Sequence, residues 1–344
     1  MSMPSGHALL INIQYLRALA VLMVVWLHAR DHFQAVRLQF PSEFGTGGVD
    51  LFFVISGFIM VYTTHGKNIS PWRFMVRRLE RIAPLYWLAT LAVVAVALLA
   101  PSLLKSTVLS GPHIAASLAF VPMLSPAFAG TYWPLVIPGW TLNYEMAFYA
   151  VFALTLLARG AWRLLALGTV LTGTFLAGLV LNWKGVLGFY SDSIILIFLL
   201  GALIGYLPIS AKFKQSNGRG AFLVMSGISL WLLLQGFEIG HRAVRAGLPA
   251  ALIVMGACLT PALQGRWLGW LAKLGDASFS IYLSHIFFLA LLRNIIQKSG
   301  FSPDSAASGW AYMLLSLALC GVGGLLVYRF IERFMARKIV AWKP

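Results

Sequence analysis

The sequence is short of charge, of acidic residues above all, and of cysteine. Ten Asp and Glu stand against 26 Lys and Arg, and charged side chains make up only 10% of the 344 residues. A soluble domain carries about a quarter of its residues charged, so a soluble globular fold is excluded. The two cysteines, Cys258 and Cys320, sit in apolar segments without metal-type spacing. That excludes a disulfide framework and a thiolate metal site, and it makes both residues buried small hydrophobes. The seven histidines lie at unrelated positions, so no metal site is expected. No internal repeat or low-complexity segment occurs, and an inverted-repeat transporter gains no support.

What the chain has in excess is apolar surface, with 60% hydrophobic residues and a mean hydropathy of +0.83. This is the composition of an all-α polytopic transmembrane helix bundle forming one integral-membrane domain over 1–344. Runs long and apolar enough to span fall at 10–28, 48–65, 81–100, 138–158, 162–182, 190–208, 219–236, 243–262, 276–297 and 310–331, about ten helices. Residues 113–125 are apolar but short and proline-flanked, which suits a re-entrant or interfacial piece. The first run lacks a small-residue cleavage site and is expected to be a retained helix. The formal charge of +16 does not point to nucleic acid, because the basic residues gather at the ends of the apolar runs. Ten spans put both termini on one side. Eighteen of the 26 basic residues, including Arg17, Lys67, Lys212, Lys214 and Lys343, fall there, so the positive-inside rule places both termini in the cytoplasm and His28 toward the outer half of the membrane.

Several polar groups interrupt the apolar runs. Arg17 and His28 stand eleven residues apart in the first helix, about 20° beyond three full turns, and so share a face about 16 Å apart along the axis. Such residues face a bundle interior or a wet cavity. Asp50 opens the second helix at the level expected for His28 and either holds that imidazole's second nitrogen or is a solvated or N-capping carboxylate. Arg78 and Arg81 share a helix face and form a cationic fork suited to a phosphorylated ligand; for Arg77, topology or headgroup binding is the preferred reading. Glu145 lies two turns into the fourth helix with Tyr149 one turn below it, either a functional carboxylate or half of an ion pair. Asp192 and Glu238 are expected at outer ends, in solvent. Ser278, Tyr282 and His285 make a polar stripe on one face, which suits a hydrogen-bonded seam between helices as well as it suits catalysis.

Together these pieces resemble the acyltransferase 3 family, the polytopic membrane enzymes that O-acylate bacterial surface glycans. The matching stretches are Y-L-R-A-L-A-V-L with His28 eleven positions after Arg17, G-G-V-D-L-F-F-V-I-S-G-F, R-R-L-E-R-I-A-P-L-Y, G-W-T-L-N-Y-E-M-A-F-Y around Trp140, and S-F-S-I-Y-L-S-H. They occur in the family's order over residues 12 to about 290. The family's usual serine after the tryptophan is Thr141 here, which keeps a hydroxyl, and the stand-alone exopolysaccharide acetyltransferase type is expected.

The resemblance implies an acyl-CoA donor, acetyl-CoA, and an acceptor hydroxyl on a polysaccharide or lipid-linked oligosaccharide at the bacterial inner membrane, among membrane lipid. It assigns His28 as general base or acyl-accepting nucleophile, with Arg17, Glu145 and Asp50 beside it. Arg78 and Arg81 meet the CoA phosphates, while Trp140, Tyr149, Tyr282 and His285 bind substrate or hold the structure. Two competing readings are a transporter of acyl groups or lipid-linked glycan, with Arg17, His28 and Glu145 as a relay, and a structural partner of a polysaccharide-export complex.

Overall fold

In a computed structural model of the chain, residues 6–40, 42–101, 104, 107–206, 215–237 and 240–341 are described, and no strand occurs among them. The helices are α1 (Gly6–Arg30), α2 (Gln34–Gln39), α3 (Glu43–Thr64), α4 (Pro71–Leu99), α5 (Gly111–Leu118), α6 (Trp140–Thr155), α7 (Ala161–Val180) and α8 (Gly185–Tyr190). They continue with α9 (Ile194–Tyr206), α10 (Asn217–Leu234), α11 (Leu248–Leu259), α12 (Leu268–Asp276), α13 (Ser278–Ser299), α14 (Ala306–Val327) and α15 (Arg333–Ala341).

Among the described residues eight helical stretches are long and apolar enough to cross a membrane; α8 and α9 together supply one of them. The other two expected spans are helical but shorter. One is α6, whose 16 residues reach about 24 Å against the roughly 30 Å of a hydrocarbon core. The other is Ala243–Leu259, which includes a π-helical turn at Ala243–Gly247. Helix α4 starts ten residues before the expected span. Ser70 caps it by accepting from the Arg73 amide (3.2 Å) and Pro71 suits the first turn. Its 29 residues run about 43 Å, so the arginine-rich beginning extends past an apolar slab. In the 113–125 segment only α5 is helical, and the backbone leaves it at Phe120 with φ +58. Lys212, Lys214, Glu238 and Lys343 lie outside the described residues.

The chain divides into two compact units. The first takes Met1–Ala20, Gly47–Val76 and Tyr144–Asp276. In it α3 and α9 cross at glycines: a Cβ on Gly57 would collide with the Phe198 carbonyl, and one on Gly201 with the Val54 carbonyl. Small residues let the two backbones touch where lipid offers no hydrophobic drive to associate. Asn12 ties the start of α1 to the end of α11. Its amide nitrogen donates to the carbonyls of Ala257 (3.1 Å), Thr260 (2.9 Å) and Pro261 (3.2 Å), and its oxygen accepts from the Leu263 amide (3.2 Å). Carbonyls at a helix end lack intrahelical donors, and Asn12 meets some of them while Gln215 donates to the Cys258 and Thr260 carbonyls and the Ser216 amide to that of Leu259.

The second unit takes Val21–Thr46, Arg77–Asn143 and Ala277–Pro344. Here α14 packs on α13 through Gly324, which lies against Ile281. Trp26 meets Phe40 and Trp310 edge to face at 5.3 and 5.8 Å. Both cysteines are free and buried.

Candidate functional site

In the second unit, two histidines meet. The rings of His28 and His285 lie 4.9 Å apart, edge to face, and His285 is fully buried at 0% exposure. Each ring is held by its own helix. His28 Nδ1 lies 2.9 Å from the Val24 carbonyl, and His285 Nδ1 lies 2.6 Å from the Tyr282 carbonyl. A carbonyl only accepts, so this network puts the proton on Nδ1 in both rings and leaves Nε2 of each neutral imidazole with a bare lone pair. Nε2 of His285 is buried without a hydrogen-bond partner.

A hydroxyl pair adjoins this centre. Tyr282 and Thr141 contact one another at 2.8 Å, and both donate to the Pro138 carbonyl, at 2.8 and 3.0 Å. The Tyr282 ring stands 6.1 Å from that of His285. Pro138 precedes Gly139, and Gly139 leaves room for the buried Tyr86 ring, whose Cε2 would lie 2.6 Å from an added Cβ. Tyr86 in turn follows Pro84 and Leu85, which line a cleft of about 220 Å³ with Arg77, Glu80, Arg81, Glu332, Met335 and Ala336. Pro84 has no amide hydrogen, so the Glu80 carbonyl loses its helical donor at the cleft wall. Glu332 accepts a hydrogen bond from Ser280.

The cleft thus takes Arg77 and Arg81, one turn apart; Arg78, expected as partner to Arg81, is not among its lining residues and has its Nε buried. Two guanidiniums and two carboxylates share the lining, so their formal charges sum to zero.

The first unit holds the other expected residues in two further networks. Glu145 accepts on one carboxylate oxygen from Tyr149 and from Ser56 (3.2 Å), whose hydroxyls are 3.3 Å apart. No ion-pair partner for Glu145 occurs among the described residues. Asp50 does not serve an imidazole. Its buried carboxylate, 1% exposed, is taken by Arg242 in a two-point contact, Nε to Oδ1 at 2.7 Å and Nη2 to Oδ2 at 3.2 Å. Guanidinium geometry matches a carboxylate at both oxygens, which is why this partner occupies the site. Arg17 donates to Gln14 Oε1 at 3.0 Å, and α1 is unbroken from Gly6 to Arg30, so Arg17 and His28 keep their spacing on one helix. Asp192 is exposed and accepts from the Ile194 amide at 2.9 Å. Trp140 begins α6 and is partly buried.

Arg242 lies outside the family-matching stretches, and Ser56 lies inside G-G-V-D-L-F-F-V-I-S-G-F but is not singled out there. Arg242 stands at the head of an apolar run, as Asp50 does, and that shared placement was the available sign of a pair.

A helical membrane protein whose polar centre is built on histidine, tyrosine and threonine side chains fits enzymes better than scaffolds. Residues 10–329 match the acyltransferase domain of the acyltransferase 3 family, and the chain belongs to that family. It is similar to the exopolysaccharide production protein ExoZ of Rhizobium meliloti (strain 1021), with 35% identity over 86% of this chain and 90% of that protein. It is also similar to the acyltransferase MdmB of Streptomyces mycarofaciens, with 25% identity over 99% of this chain and 95% of the relative. No solved structure matches the chain.

Proposed function

We propose that the protein is an acetyl-CoA-dependent O-acetyltransferase of exported polysaccharide or its lipid-linked precursor, crossing the bacterial inner membrane ten times with both termini in the cytoplasm. The observation that carries this reading is the tautomer of His28. With Nδ1–H on the Val24 carbonyl, Nε2 is the basic nitrogen, and a neutral imidazole with a free lone pair suits a general base. Nε2 takes the proton of an acceptor hydroxyl as its oxygen attacks the thioester carbonyl. The carbon–sulfur bond then breaks, and the departing thiolate takes that proton from the imidazolium. The fully buried His285 ring, edge-on at 4.9 Å, keeps the His28 ring from turning.

The donor is a substrate, and the cleft offers a partial fit to it. Arg77 and Arg81 are suited to a phosphate, and about 220 Å³ admits a phosphate-bearing end group rather than a whole coenzyme A. Glu332 stands against an anion there and must turn aside. From the cleft, Pro84, Leu85, Tyr86, Gly139 and Pro138 lead to Tyr282 and the histidine pair. The exopolysaccharide role in the name of the Rhizobium relative supports a glycan acceptor.

The test is the acetyl content of surface polysaccharide, read by NMR in a deletion strain complemented with the wild-type chain or with His28→Ala at matched membrane abundance. The expected result is loss of one acetyl resonance with His28→Ala alone. Equal acetylation by both removes His28 from the chemistry and returns the chain to transport or scaffolding.

A further inference from the structure

Asn143 is the least accounted-for polar group in the second unit. Its side chain is 1% exposed, yet neither amide atom, Nδ2 nor Oδ1, has a hydrogen-bond partner. A buried carboxamide with both ends open is rare in a native fold and calls for an explanation, the more so inside an apolar helix such as α6.

Its position supplies one. Asn143 stands four residues after Gly139, one helical turn on, about 40° from it around the axis. That is the side on which Gly139 makes room for Tyr86. Tyr86 is five residues beyond Arg81 of the cleft, about 7.5 Å along α4. Asn143 therefore belongs to the stretch that connects the arginine cleft with the Pro138, Thr141 and Tyr282 cluster.

A carboxamide that offers one donor face and one acceptor face is complementary to another amide, which offers the same two in reverse. The pantetheine arm of an acyl-CoA is a flexible chain whose polar groups near the thioester are amides. We propose that Asn143 is a binding residue that grips an amide of this arm, fixing how far the thioester travels past the cleft. The inference rests on the acyl-CoA reading above and deepens it. It also separates Asn143 from Asn12 at the start of α1: Asn12 is bonded by protein at both amide atoms, and Asn143 by substrate.

The experiment uses the purified full-length protein in nanodiscs, with calorimetric titration of coenzyme A and of adenosine 3′,5′-bisphosphate, which has the phosphate end but no arm. For the wild type, coenzyme A binds more tightly than the bisphosphate. Asn143→Leu weakens coenzyme A about tenfold or more, the equivalent of a doubly hydrogen-bonded amide. It leaves the bisphosphate affinity unchanged, and the thermal midpoint equal or higher. If Asn143→Leu binds coenzyme A as the wild type does, the inference falls and the acyl-CoA reading stands. Equal wild-type affinity for the two ligands overturns the inference in the same way, without any variant. If the wild type binds neither, both fall together.

Discussion

The site residues of the two units differ in how their buried polar groups are met. In the first, Asp50 has both oxygens on Arg242, Glu145 is held by Ser56 and Tyr149, and Asn12 is bonded at both its amide nitrogen and its amide oxygen. In the second, His285 Nε2 and both amide atoms of Asn143 are buried with no partner among the described residues. A polar group taken out of water costs about 1–3 kcal/mol when left unmet. Each unmet group is retained against that cost, whereas a saturated one stabilises. The contrast separates side chains that hold this fold from side chains that await a ligand, although both kinds sit in apolar helices and look alike in sequence.

The comparison is broken most directly at its extremes. Arg242→Ala leaves the Asp50 carboxylate buried and alone, and unfolding in detergent should come about 3–5 kcal/mol sooner. Replacing both partners with leucine should recover most of that loss, because it removes the orphaned charge along with the bond. At the other extreme, His28→Gln should lower acyl transfer by about 10²–10⁴-fold, the usual share of a general base, with the unfolding midpoint near wild type. If His28→Gln lowers stability and Arg242→Ala lowers only turnover, the assignment of the two regions is reversed.

A smaller effect sharpens the same line. Tyr149→Phe removes one of two hydroxyl donors from Glu145. A hydrogen bond to a charged acceptor contributes about 1.5–3 kcal/mol, so that much stability should be lost. A fall in turnover with no fall in the thermal midpoint would instead move Glu145 into the chemistry.

The fold was legible where periodicity carries it. Each of the ten expected apolar segments is largely helical among the described residues, since a run of apolar residues flanked by basic ones admits little else in lipid. The pairing of Glu145 with Tyr149 followed from a spacing of four. Partners distant in sequence were not legible: Asp50 and Arg242 are 192 residues apart, and only packing brings them together. Ser56 is a lone hydroxyl in an apolar run and gives no periodic signal. The choice between Arg77 and Arg78 depends on how α4 is rotated, which packing sets and the spacing of the arginines does not reveal.

That cleft supplies the smallest expected effect and the finest test of the contrast, because there the protein supplies its own counter-charge. Glu332 lies in the π-helical turn Tyr328–Glu332 just before α15, accepts from Ser280, and lines the cleft with Arg77 and Arg81. Glu332→Gln keeps the shape and the Ser280 bond but removes one negative charge from a lining whose formal charges sum to zero. In a half-exposed cleft one such charge is worth about 0.5–1 kcal/mol, or two- to fivefold in affinity. Coenzyme A and adenosine 3′,5′-bisphosphate should both bind tighter by that factor, and the gain should shrink at high salt. A gain for coenzyme A alone would place the phosphates elsewhere and make Glu332 a neighbour of the arm. No gain for either would mean that the arginines of this cleft are held for the fold, like the paired groups of the first unit.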